Sequence, residues 1–357
     1  MKFITISRRD DIPRNRIVLI RILAILLSIA FAGIVIMALG YNPLAVFRQM
    51  IKGALGGKIR LQQTALKAVP LIITTMGIIV AFKMKFWNIG GEGQIMMGAM
   101  AASFVALNYS HLPKTLLLIL MALASIVAGG LWAFIPAIFK AKLGTNETIF
   151  TLMLNYIAIK FVTFLQYGPW KDPTSQGYPK VPDFTAKAIL PNVFGVHIGW
   201  IIAIILVIVT YIFINHTKKG YEVTVVGESV DTARYAGINI QSVIIVTMLI
   251  SGGMCGLTGM IQASAIEKTL TASLSANYGF SAITTAWLSR LNAVAAFFVC
   301  ICFAILLQGG ASLQITMNIP AAVADMIQGI ILFFVLGSEF FLQYKVGFRK
   351  RLAKEEA

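Results

Sequence analysis

The sequence predicts an all-α polytopic membrane protein of about ten transmembrane helices, because apolar runs long enough to cross ~30 Å of hydrocarbon recur along the chain. Two further observations carry that reading. Apolar residues make up 58% of the chain and charged residues only 12%, with a mean hydropathy of +0.83, whereas soluble domains are roughly half apolar and a quarter charged. The runs also lack the strict apolar/polar alternation of a membrane β-barrel: Ile17 to Leu39 and Ser242 to Gln262 show none. With no water available to the backbone in lipid, such runs must be helices.

The runs lie near 17–39, 66–82, 89–107, 115–139, 148–166, 198–214, 242–262 and 321–341. The apolar stretch Phe280 to Leu307 is interrupted by Ser289, Arg290, Leu291 and Asn292, and divides there into a short and a full span. The formal charge of +16 is that of a positive-inside membrane protein and not of a nucleic-acid binder. Its cations flank the apolar runs, as in Arg8, Arg9, Arg14 and Arg16 before the first and Arg349, Lys350, Arg351 and Lys354 after the last. Both termini, and the Lys83/Lys85, Lys140/Lys142, Lys218/Lys219 and Arg290 connections, are therefore expected in the cytoplasm. The connection Tyr41 to Ala65, carrying Arg48, Lys52, Lys58 and Arg60, falls outside and runs against the rule. The first run ends without a small-residue cleavage site and is expected to stay as an anchor. The chain then divides into a basic N-terminus (1–16), one transmembrane domain (17–343) and a basic C-terminus (344–357), with an external loop at 168–197 and a cytoplasmic loop at 216–241.

Catalytic patterns are missing. Gly56-Gly57-Lys58-Ile59 lacks the upstream glycine and the hydroxyl residue of a phosphate-binding loop, and Gly310 to Gln314 lacks the last glycine of a nucleophile elbow. His111, His197 and His216 are scattered, and Cys255, Cys300 and Cys302 lie in apolar runs without ligand spacing. No catalytic residue, metal site or resident cofactor is expected.

Polar residues inside spans are costly and therefore informative. The densest group is Asn88-Ile89-Gly90-Gly91-Glu92-Gly93-Gln94 at the start of the third span. Its glycines permit a break or a close approach, and two readings stay open: a hinge that packs, or a surface that touches cargo as broken transporter helices do. Asn146, Glu147 and Asn155 form a second group, read either as interhelical hydrogen-bonding partners or as pathway residues. Asp325 and Gln328 share a face of the last span, and Gly252 with Gly256 predicts a close helix contact. The external loop carries Pro169, Pro173, Pro179, Pro182 and Pro191 and reads as a rigid irregular surface for an outside partner. The cytoplasmic loop holds Ser229 to Gly237, with a cap, a first-turn acid in Asp231 and a terminating glycine. That pattern is a short surface helix, too short to be stable alone and therefore expected to rest on a partner.

Several stretches together resemble permease subunits of ATP-binding-cassette importers of the branched-chain amino acid, ribose and nucleoside group. They are Ala81 to Gln94 (AFKMKFWNIGGEGQ), Gly144 to Thr148 (GTNET), Leu154 to Ile157 (LNYI), Val226 to Glu228 (VGE), Ala233 to Asn239 (ARYAGIN), Tyr278 to Phe280 (YGF), Arg290 to Asn292 (RLN) and Ile319 to Ala322 (IPAA). The likeness is strongest to nucleoside permeases that work with basic-membrane-type lipoproteins. Lys83-Met84-Lys85, Ser289 and Ala293 depart from that pattern, where arginine with small residues, glycine and proline are usual. The resemblance implies a multi-pass plasma-membrane subunit that is not itself an enzyme. It implies a cytoplasmic ATPase that binds ATP and Mg, a second homologous permease in a heterodimer, and an extracytoplasmic substrate-binding lipoprotein, with membrane lipid around it and no nucleic acid. It makes the capped helix a coupling helix, with Gly227, Glu228, Arg234 and Gly237 toward the ATPase; the polar groups within the spans leave Asn88, Glu92, Gln94, Asn146, Glu147 and Asn155 as the candidates for the substrate pathway. Sugars or branched-chain amino acids are alternative cargoes, and an ion-coupled transporter using Asp325 or Glu92 is the rival mechanism.

Overall fold

The computed structural model describes residues 4–8, 13–175 and 177–348. Arg9, Arg349, Lys350, Arg351 and Lys354, expected at the cytoplasmic ends, lie outside the described residues. In chain order the elements are strand β1 (Ile4–Arg8), α1 (Arg14–Ala38), α2 (Pro43–Leu55), α3 (Lys58–Lys83), α4 (Gly91–Asn108), α5 (Lys114–Leu143) and α6 (Glu147–Tyr167). A two-strand hairpin follows, β2 (Asn192–Val193) with β3 (Val196–His197), then α7 (Gly199–His216), α8 (Lys218–Glu228), α9 (Val230–Tyr235) and α10 (Ile240–Ile261). Helix α10 runs on as a π turn (Gln262–Glu267), and α11 (Tyr278–Leu288), α12 (Ala293–Met317), α13 (Ala321–Gln343) and β4 (Tyr344–Phe348) complete the chain.

The protein is all-α and polytopic. Among the described residues, eight helices are long and apolar enough to cross a membrane: α1, α3, α5, α6, α7, α10 with its π turn, α12 and α13. Helix α4 is richer in glycine and polar groups and is largely buried. At 18 residues it is about 27 Å long at ~1.5 Å per residue. Helix α11 has 11 residues and reaches only about half that far. Every apolar run is a helix, and the expected break between a short and a full span is where α11 gives way to α12. There Arg290 and Leu291 take φ of 53° and 56°, and Asn292 Oδ1 accepts from the Ala295 N–H at 3.0 Å.

Contacts among the described residues gather in two compact units, one built from the two ends of the chain (1–60 and 305–357) and one from residues 61–304. In the first, α1 packs along α13, with Phe31 and Phe334 rings 5.6 Å apart and Arg21 paired to Glu339 at 3.6 Å. Strands β1 and β4 pair antiparallel, Ile4 opposite Phe348, so the two ends meet on one side. The region 41–65, read from sequence as a plain connection, holds α2 and the first turns of α3. Asn42 caps α2 by accepting from the Leu44 and Ala45 N–H groups at 3.0 and 3.3 Å, with proline at the first helical position. Val46 and Met50 enter a core with Ala32, Ile36, Leu313 and Ile327, while Leu44, Arg48, Ile51 and Lys52 face outward.

The second unit centres on α10, clasped by α4 and α5. Helices in lipid associate by close packing and not by a hydrophobic drive, so small residues decide where backbones meet. Helix α10 meets α5 in this way along the face Gly252–Gly256. A Cβ on Gly256 would fall 2.1 Å from the Ser125 carbonyl oxygen, and one on Gly252 2.4 Å from that of Gly129. Gly259 would meet the Ile95 carbonyl at 2.0 Å and Gly98 the Gly256 Cα at 2.3 Å. Because these neighbours are backbone, Gly256→Ala forces α5 and α10 apart. Overpacking of this kind costs about 1–3 kcal/mol, read as a lowered melting temperature in detergent, with an unchanged melt contradicting the packing.

Candidate functional site

The polar turn before α4 is built by a chain reversal. Helix α3 stops at Lys83, Lys85 takes φ 57°, and residues 86–90 lead into α4 with their polar groups turned inward. Asn88 is fully buried and acts as the keystone. Its Oδ1 accepts from the Gly90 N–H and from Gln94 Nε2, both at 3.0 Å, while its Nδ2 donates to Gln94 Oε1 at 3.2 Å and Ser251 Oγ at 3.1 Å. Asn155 of α6 completes the frame: its Oδ1 accepts from the Gly93 N–H at 2.8 Å and its Nδ2 donates to the Ile89 carbonyl at 2.9 Å. Thr151 Oγ1 accepts from the Ile89 N–H at 3.2 Å. Gly93 allows the close approach of α6, since a Cβ there would press on Asn155 Cα at 3.0 Å.

Glu92 reaches the other way. Its Oε1 accepts from the Asn277 N–H at 3.0 Å and its Oε2 from the Gly279 N–H at 2.7 Å, so one carboxylate holds the start of the half-length helix α11. The segment it holds is strained: Ala276 and Asn277 have φ of 45° and 59°, the left-handed region that costs a side-chain-bearing residue of order 1–3 kcal/mol. Gly279 allows the approach, since a Cβ there would lie 2.3 Å from the Glu92 nitrogen.

The structure thus brings Asn88, Glu92, Gln94 and Asn155 together, with their polar atoms spent on backbone, on each other and on Ser251. Asn146 and Glu147 stand apart at the α5–α6 corner. Asn146 caps α6 through the Thr148 and Ile149 N–H groups at 3.0 and 3.3 Å, and Glu147 pairs with Lys140 at 2.8 Å. Thr151, Ser251, Asn277 and Gly279 belong to the frame but escape the sequence, because their part depends on which helices are neighbours. Phe86 is buried, and Trp87 stacks on Trp287 at 5.3 Å, a tertiary pairing beside the reversal.

The cytoplasmic-loop helix is α9. Ser229 Oγ accepts from the Thr232 N–H at 3.2 Å. At the other end Gly237 (φ 70°) closes a Schellman pair, its N–H donating to the Arg234 carbonyl at 3.1 Å and that of Ile238 to the Ala233 carbonyl at 3.0 Å. One face is anchored by Ala233, 0% exposed, and the other is bare: Tyr235 is 94% exposed, and Glu228, Asp231 and Arg234 are exposed beside it. Gly227 corrects the expectation of a surface contact. It is buried, with room for a Cβ denied by the Lys83 carbonyl at 2.0 Å and Met84 Cα at 2.9 Å. Its place is the joint between α8 and the reversal that leads to Asn88.

Among the described residues outside the spans, Asp172 and His197 have shifted titration. Thr174 donates both its hydroxyl (2.7 Å) and its N–H (2.8 Å) to Asp172, holding that carboxyl below the usual carboxylate range. Burial holds the His197 imidazole neutral, lowering its pKa to about 4, with Nδ1 accepting from the Gly199 N–H at 3.2 Å.

Comparison with known proteins adds the family. A family model described as branched-chain amino acid transport system / permease component matches residues 60–336. The glucose ABC transporter permease protein TsgB13 of Haloferax volcanii is 34% identical over 91% of this chain and 89% of its own length. The nucleoside ABC transporter permease protein NupB of Lactococcus lactis is 29% identical over 96% and 97%, and the guanosine ABC transporter permease protein NupP of Bacillus subtilis 28% over 93% and 97%. No solved structure matches the chain.

Proposed function

The chain belongs to the family of branched-chain amino acid transport system permease components, and on that premise we propose that it is a permease subunit of an ATP-driven importer whose cargo is a nucleoside. It is a multi-pass plasma-membrane transport subunit and not an enzyme. The family works with ATPase and substrate-binding partners in general. For this chain we read them as a cytoplasmic ATPase that binds ATP and Mg, a second homologous permease in a heterodimer, and an extracytoplasmic lipoprotein. Nucleoside cargo rests on the two nucleoside and guanosine relatives, which align with this chain over nearly their whole length. Glucose is the second reading, favoured by the 34% identical relative.

The mechanism rests on α9, a short helix with both ends capped and an uncovered outer face. The ATPase docks on Tyr235, Arg234 and Glu228, with Gly237 closing the turn. Its movement passes along α8 to Gly227, which bears on the Lys83–Met84 reversal and so on the Asn88–Gln94 frame. That frame and α11 then act as the hinge beside the path, with Asn146 and Glu147 at the inner corner. About ten crossings with both termini cytoplasmic fit this arrangement, and the pairing of β1 with β4 supports an even number. The ion-coupled alternative draws no support from Glu92, whose two oxygens are taken by backbone N–H groups.

The test is competition. In proteoliposomes holding the assembled transporter and binding protein, ATP-dependent uptake of labelled guanosine should be blocked by unlabelled nucleosides and untouched by excess glucose. Blocking by glucose alone makes the chain a sugar permease.

A further inference from the structure

On the outer side of the second unit, the end of α6, the external loop and residues 267–273 border an open cavity of ≈ 850 Å³, within the size range of small-molecule sites. Its walls are tied together. Gln166 at the end of α6 donates from Nε2 to the Pro179 carbonyl and accepts at Oε1 from the Ala272 N–H, both at 3.0 Å. Thr269 Oγ1 donates to the Val181 carbonyl and the Phe184 N–H to the Lys268 carbonyl, each at 2.8 Å. These bonds hold residues 179–184 against α6 and the segment 268–272 before any ligand arrives, which lowers the ordering cost of binding.

The lining has a definite chemistry. Tyr167 and Tyr178 line it and are 55% and 76% exposed, while Asp183, Glu267 and Lys180 supply charge and Ser273 a hydroxyl. Lys180 pairs with Asp183 at 2.7 Å, which leaves Glu267 as the excess charge and disfavours an anion. Aromatic faces beside oxygen acceptors suit a flat or puckered neutral ring bearing adjacent hydroxyls. The cavity shares backbone with the segment that Glu92 holds. Segment 268–277 is non-helical, follows a π turn, and has Lys268 at φ 58°. Non-helical backbone at membrane depth is tolerated where it lines water or is buried in protein, and this same segment ends on the Glu92 carboxylate.

We propose that the cavity is a receiving site for a neutral ring with vicinal hydroxyls, Glu267 and Asp183 accepting from the hydroxyls and Tyr178 covering the ring. The proposal rests on the importer reading and names the group that the outer mouth recognises. The test is binding of uridine and 2′,3′-dideoxyuridine to the full chain in lipid nanodiscs, followed by saturation-transfer NMR. Uridine should bind roughly tenfold or more tightly than the dideoxy compound, the worth of a hydrogen bond to a charged group. Glu267→Gln and Tyr178→Ala, both at exposed positions, should each weaken uridine about tenfold at an unchanged melting temperature. Equal binding of the two compounds, no binding of uridine at millimolar concentration, or full affinity in both variants overturns the site. The two readings fail separately: a double variant that imports nucleoside with wild-type KM removes the cavity and leaves the importer. An assembled wild-type complex that imports no nucleoside removes the importer reading.

Discussion

Glu92→Leu is expected to abolish transport and to cost about 3–6 kcal/mol of stability, because two hydrogen bonds to a charged acceptor, each worth ~1.5–3 kcal/mol, are lost together. The side chain is 2% exposed, so water does not replace the carboxylate. The Asn277 and Gly279 N–H groups are left unpaired, and the left-handed Ala276–Asn277 turn loses the contact that holds it. Glu92→Gln keeps the size but turns an NH2 toward one of two N–H donors, and should fall between wild type and leucine. Melting in detergent and uptake in proteoliposomes check both variants. A leucine variant that melts and transports like wild type contradicts the clamp.

The second large effect is expected at a residue with almost no structural role. Tyr235→Ala should leave folding unchanged, since the ring is 94% exposed, while weakening ATPase docking roughly thirtyfold, the loss typical of a buried aromatic anchor at an interface. Arg234→Glu reverses a charge on the same face and should uncouple ATP hydrolysis from uptake. Co-purification of the ATPase with each variant, alongside uptake, separates lost docking from lost folding. A Tyr235→Ala transporter with normal assembly and uptake would show that α9 faces water and no partner.

The span pattern is legible in the sequence because length and apolarity are local properties: each expected run is a helix, and α9 is readable from Ser229 and Gly237, since caps are local too. The close contact at Gly252 and Gly256 follows from spacing. Less legible is α2, whose Asn42–Pro43 start lies in a stretch where basic residues dominate the pattern. Helix α3 shows why boundaries slip: it begins at Lys58, ahead of the apolar run that starts near 66, where charge masks helicity. The pairing of β1 with β4 and the bonding of Asn88 to Ser251 join residues far apart in sequence, and no local pattern encodes them. Gly227 illustrates the same limit, since its glycine is demanded by the Lys83 carbonyl and not by a surface partner. Asn88, Glu92, Gln94 and Asn155 are recognisable as important because polar groups in spans are costly, yet only the packing shows that Glu92 and Asn155 bind backbone while Gln94 bonds Asn88.

If this chain moves solute with energy delivered through α9 by another subunit, it must be inert by itself. The decisive comparison is accumulation of labelled nucleoside in proteoliposomes holding the chain alone, under an imposed proton or sodium gradient, against vesicles holding the ATPase-bearing complex, its binding protein and ATP. Accumulation is expected only in the second, and should be lost there in Arg234→Glu; gradient-driven accumulation by the lone chain would contradict the coupling through α9.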